Sequence, residues 1–131
     1  MPLKQVLVVD DEPDIRALVS LILQKLGGFT VRAASSGREA LDALRDGFMP
    51  DIILLDVMMP GMDGVQTLAE MRAMPAIEKL AICFRTAKIQ PADIAQWRAL
   101  GVDEVLTKPF IPAKLVSQVR SCWENVKRDR P

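Results

Sequence analysis

The stretch Pro50–Gly64, "PDIILLDVMMPGMDG", decides how the rest of the chain is read. "DIILLD" is nearly all aliphatic, as expected of a central parallel strand covered on both faces. The run nevertheless ends on a carboxylate, Asp56, and turn-forming residues follow it. A carboxylate beside buried apolar residues costs free energy unless it is paired, hydrated or bound to a metal. Asp56 is therefore either a strand residue that escapes into a loop or a charge kept there for chemistry.

Outward from this stretch, short apolar runs alternate with amphipathic ones. "KQVLVV" (Lys4–Val9), "FTVRAA" (Phe29–Ala34), "KLAICFR" and "DEVLT" read as strands. Between them, "DIRALVSLILQKLGG" places Ile15, Leu18, Val19, Ile22, Leu23 and Leu26 at helical spacing, with Gly27–Gly28 as a stop. A second helix starts at Ser35 or Ser36 and ends near Gly47. "VQTLAEMRAM" is a third, closed before Pro75. "PADIAQWRALG" begins at Pro91, and "PAKLVSQVRSCWENV" is the last. Five β units alternating with five α units imply right-handed crossovers and one parallel sheet sandwiched between helices. The chain thus reads as one α/β domain over residues 1–127 with a frayed tail, 128–131.

Bulk composition narrows the chemistry. A length of 131 residues suits one domain with a real core, and 50% hydrophobic with 26% charged residues is a globular balance. Acidic and basic residues balance at 17 each, which gives no reason to expect nucleic acid or an anionic membrane as a direct partner. No apolar run approaches the ~20 residues of a membrane span, and the N-terminus lacks a signal-peptide pattern. Cys83 and Cys122 lie in apolar patterns without metal-type spacing and read as buried free thiols of a reducing cytoplasm. There is no histidine and no tyrosine. That removes catalytic triads, imidazole metal sites and any role as a phosphohistidine donor.

Ligands of open parallel sheets bind outside the carboxyl ends of the strands. The first strand ends in Asp10–Asp11, the third in Asp56, the fourth in Arg85–Thr86 and the fifth in Thr107–Lys108. Three carboxylates, a hydroxyl and an ammonium thus meet at one edge. Lys108 offsets one negative charge, leaving a deficit of about two, which a divalent cation fits. All-oxygen ligands point to Mg²⁺ or a relative. Singly, each residue has an ordinary explanation as a helix-start acid, a loop acid or a surface lysine. Those explanations do not predict that all of them land on one edge.

These residues resemble the receiver domain of two-component response regulators, from "VLVVDDEPD" through "PDIILLDVMMPGMDG" and "TAK" to "VDEVLTKPF". The resemblance implies a flavodoxin-like (βα)5 fold with strand order 2-1-3-4-5. It implies Asp56 as phosphoacceptor, Asp11 as the direct Mg²⁺ ligand, Asp10 acting mostly through water, and the Met58 backbone carbonyl as a third protein ligand. Lys108 corresponds to the lysine that contacts phosphoryl oxygens and Thr86 to the switch hydroxyl, and the Lys108–Pro109 peptide is expected cis. The implied donor is a phosphohistidine on a sensor histidine kinase or histidine phosphotransfer protein. The implied output is a changed surface over Pro91–Leu100, Asp103–Leu106 and Pro112–Val126, read by an effector or output domain, in a monomer or phosphorylation-dependent dimer. The only catalysis implied is of the domain's own phosphorylation and dephosphorylation. With no output domain after Val126, the sequence reads as a stand-alone regulator or a piece of a longer one.

The sequence departs from that family in places. Val105 stands where members usually carry an aromatic, which puts a rotating-aromatic switch in question. Arg85 is unusual; it reads as a snorkelling edge residue or, second, as a cation reaching the acidic pocket. Met58 and Lys88 predict slow hydrolysis of the phosphoryl group. Trp97 and Trp123 read first as packing residues and second as partner anchors. Two other functions compete: a phosphorylation-independent pseudo-receiver that binds protein, and an enzyme on a similar sheet. An Asp-nucleophile phosphatase would want an Asp where Met58 stands, and a flavin site would want hydroxyl-rich loops.

Overall fold

The computed structural model describes residues 3–77, 80–87, 90–107 and 111–129. Ten elements alternate along the chain: β1 (Gln5–Val9), α1 (Pro13–Lys25), β2 (Thr30–Ala34), α2 (Gly37–Arg45), β3 (Ile52–Asp56), α3 (Gly64–Arg72), β4 (Ala81–Thr86), α4 (Pro91–Ala99), β5 (Glu104–Thr107) and α5 (Pro112–Asp129). The five strands form one parallel sheet in the order β2-β1-β3-β4-β5. β3 lies at its centre, and all five of its residues are buried. The expected fold class and strand order hold.

Alternation along the strands divides the core into two layers. Val6, Val8, Ile52, Leu54 and Cys83 pack with α1 and α5 residues such as Leu23 and Val119. Leu7, Val9, Ile53, Leu55 and Phe84 pack on the opposite face with Leu41, Leu68 and Trp97. Cys83 and Cys122 are buried, free, and in contact across the β4–α5 boundary.

The helix starts follow their sequence signals. Ser36 caps α2 by accepting the Glu39 N–H, so the second of the two expected starting serines is the cap. Asp63 caps α3 in a reciprocal box with Gln66, at 2.8 and 3.0 Å. Proline opens both α1 and α4. At its far end α5 runs through Asp129, past the expected boundary at 127, and carries Lys127 and Arg128 in its last turn. Their positive charges favour the carboxyl end of the helix dipole.

An unforeseen polar knot holds the amino ends of β4 and β5. Arg72, the last residue of α3, donates to the carbonyls of Ile77, Leu80 and Gly101 and pairs with Asp103 at 2.9 Å. The same Asp103 oxygen accepts the Ile82 N–H. Two connections, α3–β4 and α4–β5, are thereby fixed to one guanidinium. No helix among the described residues is long and apolar enough to cross a membrane.

Candidate functional site

Three strands carry the site, and the two-residue period of a strand sets its direction. Val6 and Val8 on β1, Ile52 and Leu54 on β3, and Ala81 and Cys83 on β4 all face the layer of α1 and α5. Two residues further along each strand stand Asp10, Asp56 and Arg85. Each apolar row therefore ends in a charge, and register places Asp56 directly opposite Arg85.

Asp10 and Asp56 are 0% and 1% exposed, and Asp11 is half-buried. One carboxylate oxygen from each of Asp10, Asp11 and Asp56 lies within 4.8 Å of the other two. At such separations two carboxylates repel by about 3 kcal/mol at an effective dielectric constant near 20. Asp10 is tightly held: Oδ1 accepts the Glu12 N–H at 2.9 Å and Oδ2 accepts Arg85 Nη1 at 2.9 Å. Its backbone carbonyl accepts Arg16 Nη1 at 2.8 Å, and its N–H donates to Ala34.

Arg85 corrects the favoured sequence reading. It does not snorkel along the sheet edge; its side chain is 3% exposed and ion-paired to Asp10 inside the acidic pocket. The cause is the strand period, which puts Arg85 on the face of Asp10 and Asp56. The charge deficit of about two, counted on Lys108 alone, falls by one.

The remaining expected residues divide as follows. Thr86 closes β4 and is buried. Met58 follows β3 with a side chain 74% exposed. Lys108, Pro109 and Lys88 lie outside the described residues. Val105 is half-buried against the layer of α2, α3 and α4. Trp97 is buried edge-to-face on Phe84, with ring centres 5.4 Å apart, and half-buried Trp123 packs on the other layer. Both tryptophans therefore pack against the core layers.

Gly64 lets α3 begin against the strand end that carries Asp56. Its N–H donates to the Val57 carbonyl at 2.9 Å. A Cβ there would stand 2.5 Å from the Asp56 carbonyl oxygen, closer than real contacts allow.

The 2-1-3-4-5 parallel sheet agrees with the comparisons to known proteins. The profile of the response regulator receiver domain matches residues 6–120. The chain belongs to the response regulator receiver domain family. This receiver is 35% identical over 118 residues to the DNA-binding response regulator MtrA of Mycolicibacterium smegmatis, covering 90% of this chain and 50% of that protein. It is 37% identical over 115 residues to response regulator Rre1 of Synechocystis, covering 88% and 49%. The receiver therefore spans about half the length of these curated relatives. Among solved structures, the chemotaxis protein CheY4 of Vibrio cholerae superposes with a TM-score of 0.87 at 32% identity, covering 92% of this chain and 99% of that one. The receiver domain of a histidine kinase from Syntrophus aciditrophicus gives 0.82 at 30% identity, covering 95% and 93%.

The donor set of this receiver fits a hard divalent cation. It offers carboxylate oxygens only, from three residues, close enough to share one ion.

Proposed function

We propose that this receiver takes a phosphoryl group from a phosphohistidine onto Asp56. The observation that carries the reading is the burial of Asp56 at the end of an apolar strand, inside a cluster of three carboxylates. A nucleophile explains why that carboxylate is kept there. Phosphoryl transfer runs through a loose transition state with charge on the equatorial oxygens, so the protein contributes positioning and electrostatic stabilisation.

Asp56 Oδ attacks phosphorus as the phosphorus–nitrogen bond of the donor breaks, leaving a neutral histidine on the donor once a proton is taken up. The donor is a sensor histidine kinase or histidine phosphotransfer protein, since this chain has no histidine. Asp11, Asp56 and the Met58 carbonyl would hold Mg²⁺, with Asp10 acting through water. The bound cation supplies positive charge to the phosphoryl oxygens. The Thr86 hydroxyl and the Lys108 ammonium donate to the same oxygens.

The acyl phosphate carries close to two negative charges. Drawing Thr86 towards it shifts the connection into α4 and changes the α4–β5–α5 surface read by an effector or output domain. Half-buried Val105 moves less than an aromatic would, so the connection and helix carry the signal. In this reading the receiver runs to the end of α5, the domain works in the cytoplasm as a monomer or phosphorylation-dependent dimer, and it catalyses only its own phosphorylation and dephosphorylation.

A phosphorylation-independent, protein-binding pseudo-receiver is the second reading. It is favoured by the Arg85–Asp10 pair, which places a fixed cation in the pocket. Intact-mass spectrometry after incubation with Mg²⁺ and a small phosphodonor separates the two. A gain of one phosphoryl group, lost without metal and in Asp56→Ala, supports the phosphoacceptor. No gain in folded protein supports the pseudo-receiver.

A further inference from the structure

The phosphoryl chemistry above makes no use of Arg85, yet its guanidinium is buried in the acidic pocket, 2.9 Å from Asp10. We propose that Arg85 is a resident counter-cation of the acidic cluster, opposing divalent-metal entry and holding Asp10 in place while the metal is absent. The inference rests on reading this edge as a metal-assisted phosphoacceptor site.

Charge and geometry carry it. Asp10 is fully buried, so an ionised carboxylate there requires compensation. Oδ1 takes a neutral donor, the Glu12 N–H, and Oδ2 takes the charged one, Arg85. Oxygens of Asp11 and Asp56 lie within 4.8 Å of an oxygen of this same carboxylate. A dication held by those two residues therefore sits close to the guanidinium, in surroundings that water screens poorly. Like charges repel there several-fold more strongly than in bulk water. Arginine cannot relieve the conflict by losing its proton. The metal must either displace Arg85 from Asp10 or bind beside a fixed positive charge, and both weaken binding. Arg85 is a positioning residue in this scheme, acting through Asp10.

The pair also has a purely structural explanation, that it ties the ends of β1 and β4 together across β3. The two explanations differ in what happens when charge alone is removed. Arg85→Gln keeps an N–H donor for Asp10 and loses the charge; Arg85→Lys keeps the charge. Mg²⁺ binding to the full chain is measured by calorimetry at fixed ionic strength for wild type and both variants. Thermal melts are run beside it in chelator and in excess Mg²⁺. A counter-cation predicts a Mg²⁺ dissociation constant about tenfold lower in Arg85→Gln and within about threefold of wild type in Arg85→Lys. It also predicts a larger rise in melting temperature on adding Mg²⁺ in Arg85→Gln than in wild type, a readout that survives partial unfolding of that variant in chelator. Equal Mg²⁺ affinity and equal melting shifts in all three proteins overturn this inference and leave the metal site standing. Failure of Mg²⁺ to bind any of the three, in folded protein, overturns the metal site together with it.

Discussion

The two ends of β4 each hold an arginine–aspartate pair at 2.9 Å, half-buried at the amino end and buried at the carboxyl end, and the pairs differ in what surrounds them. At the amino end, Arg72 meets Asp103 and three backbone carbonyls, so one carboxylate and neutral acceptors face one guanidinium. Among the described residues charge there is balanced, and the side chains are 14% and 16% exposed. At the carboxyl end, Arg85 and Asp10 are 3% and 1% exposed, and Asp11 and Asp56 add two further carboxylates within reach of one ion. The first pair finishes a structure. The second leaves negative charge in excess, the condition under which a site attracts a metal or resists a phosphate without one. Hydrogen-bond geometry alone does not separate the two; the local sum of charges does.

The comparison breaks most severely at Arg72. Replacing it with Met removes the guanidinium from Asp103 and from the carbonyls of Ile77, Leu80 and Gly101, and leaving such partly buried acceptors without their charged donor costs about 3 kcal/mol. Urea unfolding of Arg72→Met should show that loss with and without Mg²⁺ alike. Recovery by Mg²⁺ would mean the amino-end pair communicates with the site, contrary to the contrast drawn here. Gly64→Ala comes next. The added methyl meets the Asp56 carbonyl, which costs about 1–3 kcal/mol if the start of α3 shifts. Unfolding midpoints measure that cost, and a stability equal to wild type would show that this edge is looser than the close approach implies.

The smallest effect concerns pH and lies away from both pairs. Burial, and then the hydrogen bond with Cys122, push the Cys83 thiol well above its ordinary 9.0. Cys83 thus stays protonated in the fold while the unfolded chain's thiol ionises. The associated stability is full below about pH 9 and declines as pH rises towards the folded value. Cys83→Ala should flatten that alkaline decline, read as the slope of unfolding free energy between pH 8 and 10. An unchanged slope would assign the decline to other groups.

How much of this was legible in the sequence follows from the range of each signal. The largely aliphatic "DIILLD" run announced the buried central strand, and the alternation of elements announced the parallel sheet. The end of each strand located Asp10, Asp11 and Asp56, because a strand end is a local feature. Arg85 was misread for a local reason: an arginine closing an apolar strand has a long stem that suits snorkelling. Its direction was nevertheless encoded, since counting by twos from Ala81 and Cys83 leads to the face where Ile52 and Leu54 lead to Asp56. The Arg72 knot had no such signal. Asp103 lies 31 residues away, and the carbonyls it shares belong to two loops whose approach only the folded sheet determines.

The claim on which the account turns is that Asp56, and neither of its acidic neighbours, takes the phosphoryl group. Acyl phosphates are reduced by borohydride to the alcohol, so treatment with phosphodonor and Mg²⁺ followed by reduction marks the acceptor permanently. Tandem mass spectrometry of the digested chain should then find homoserine at position 56, with Asp10 and Asp11 unmodified. Reduction at position 10 or 11, or at none of the three in folded protein, would contradict it.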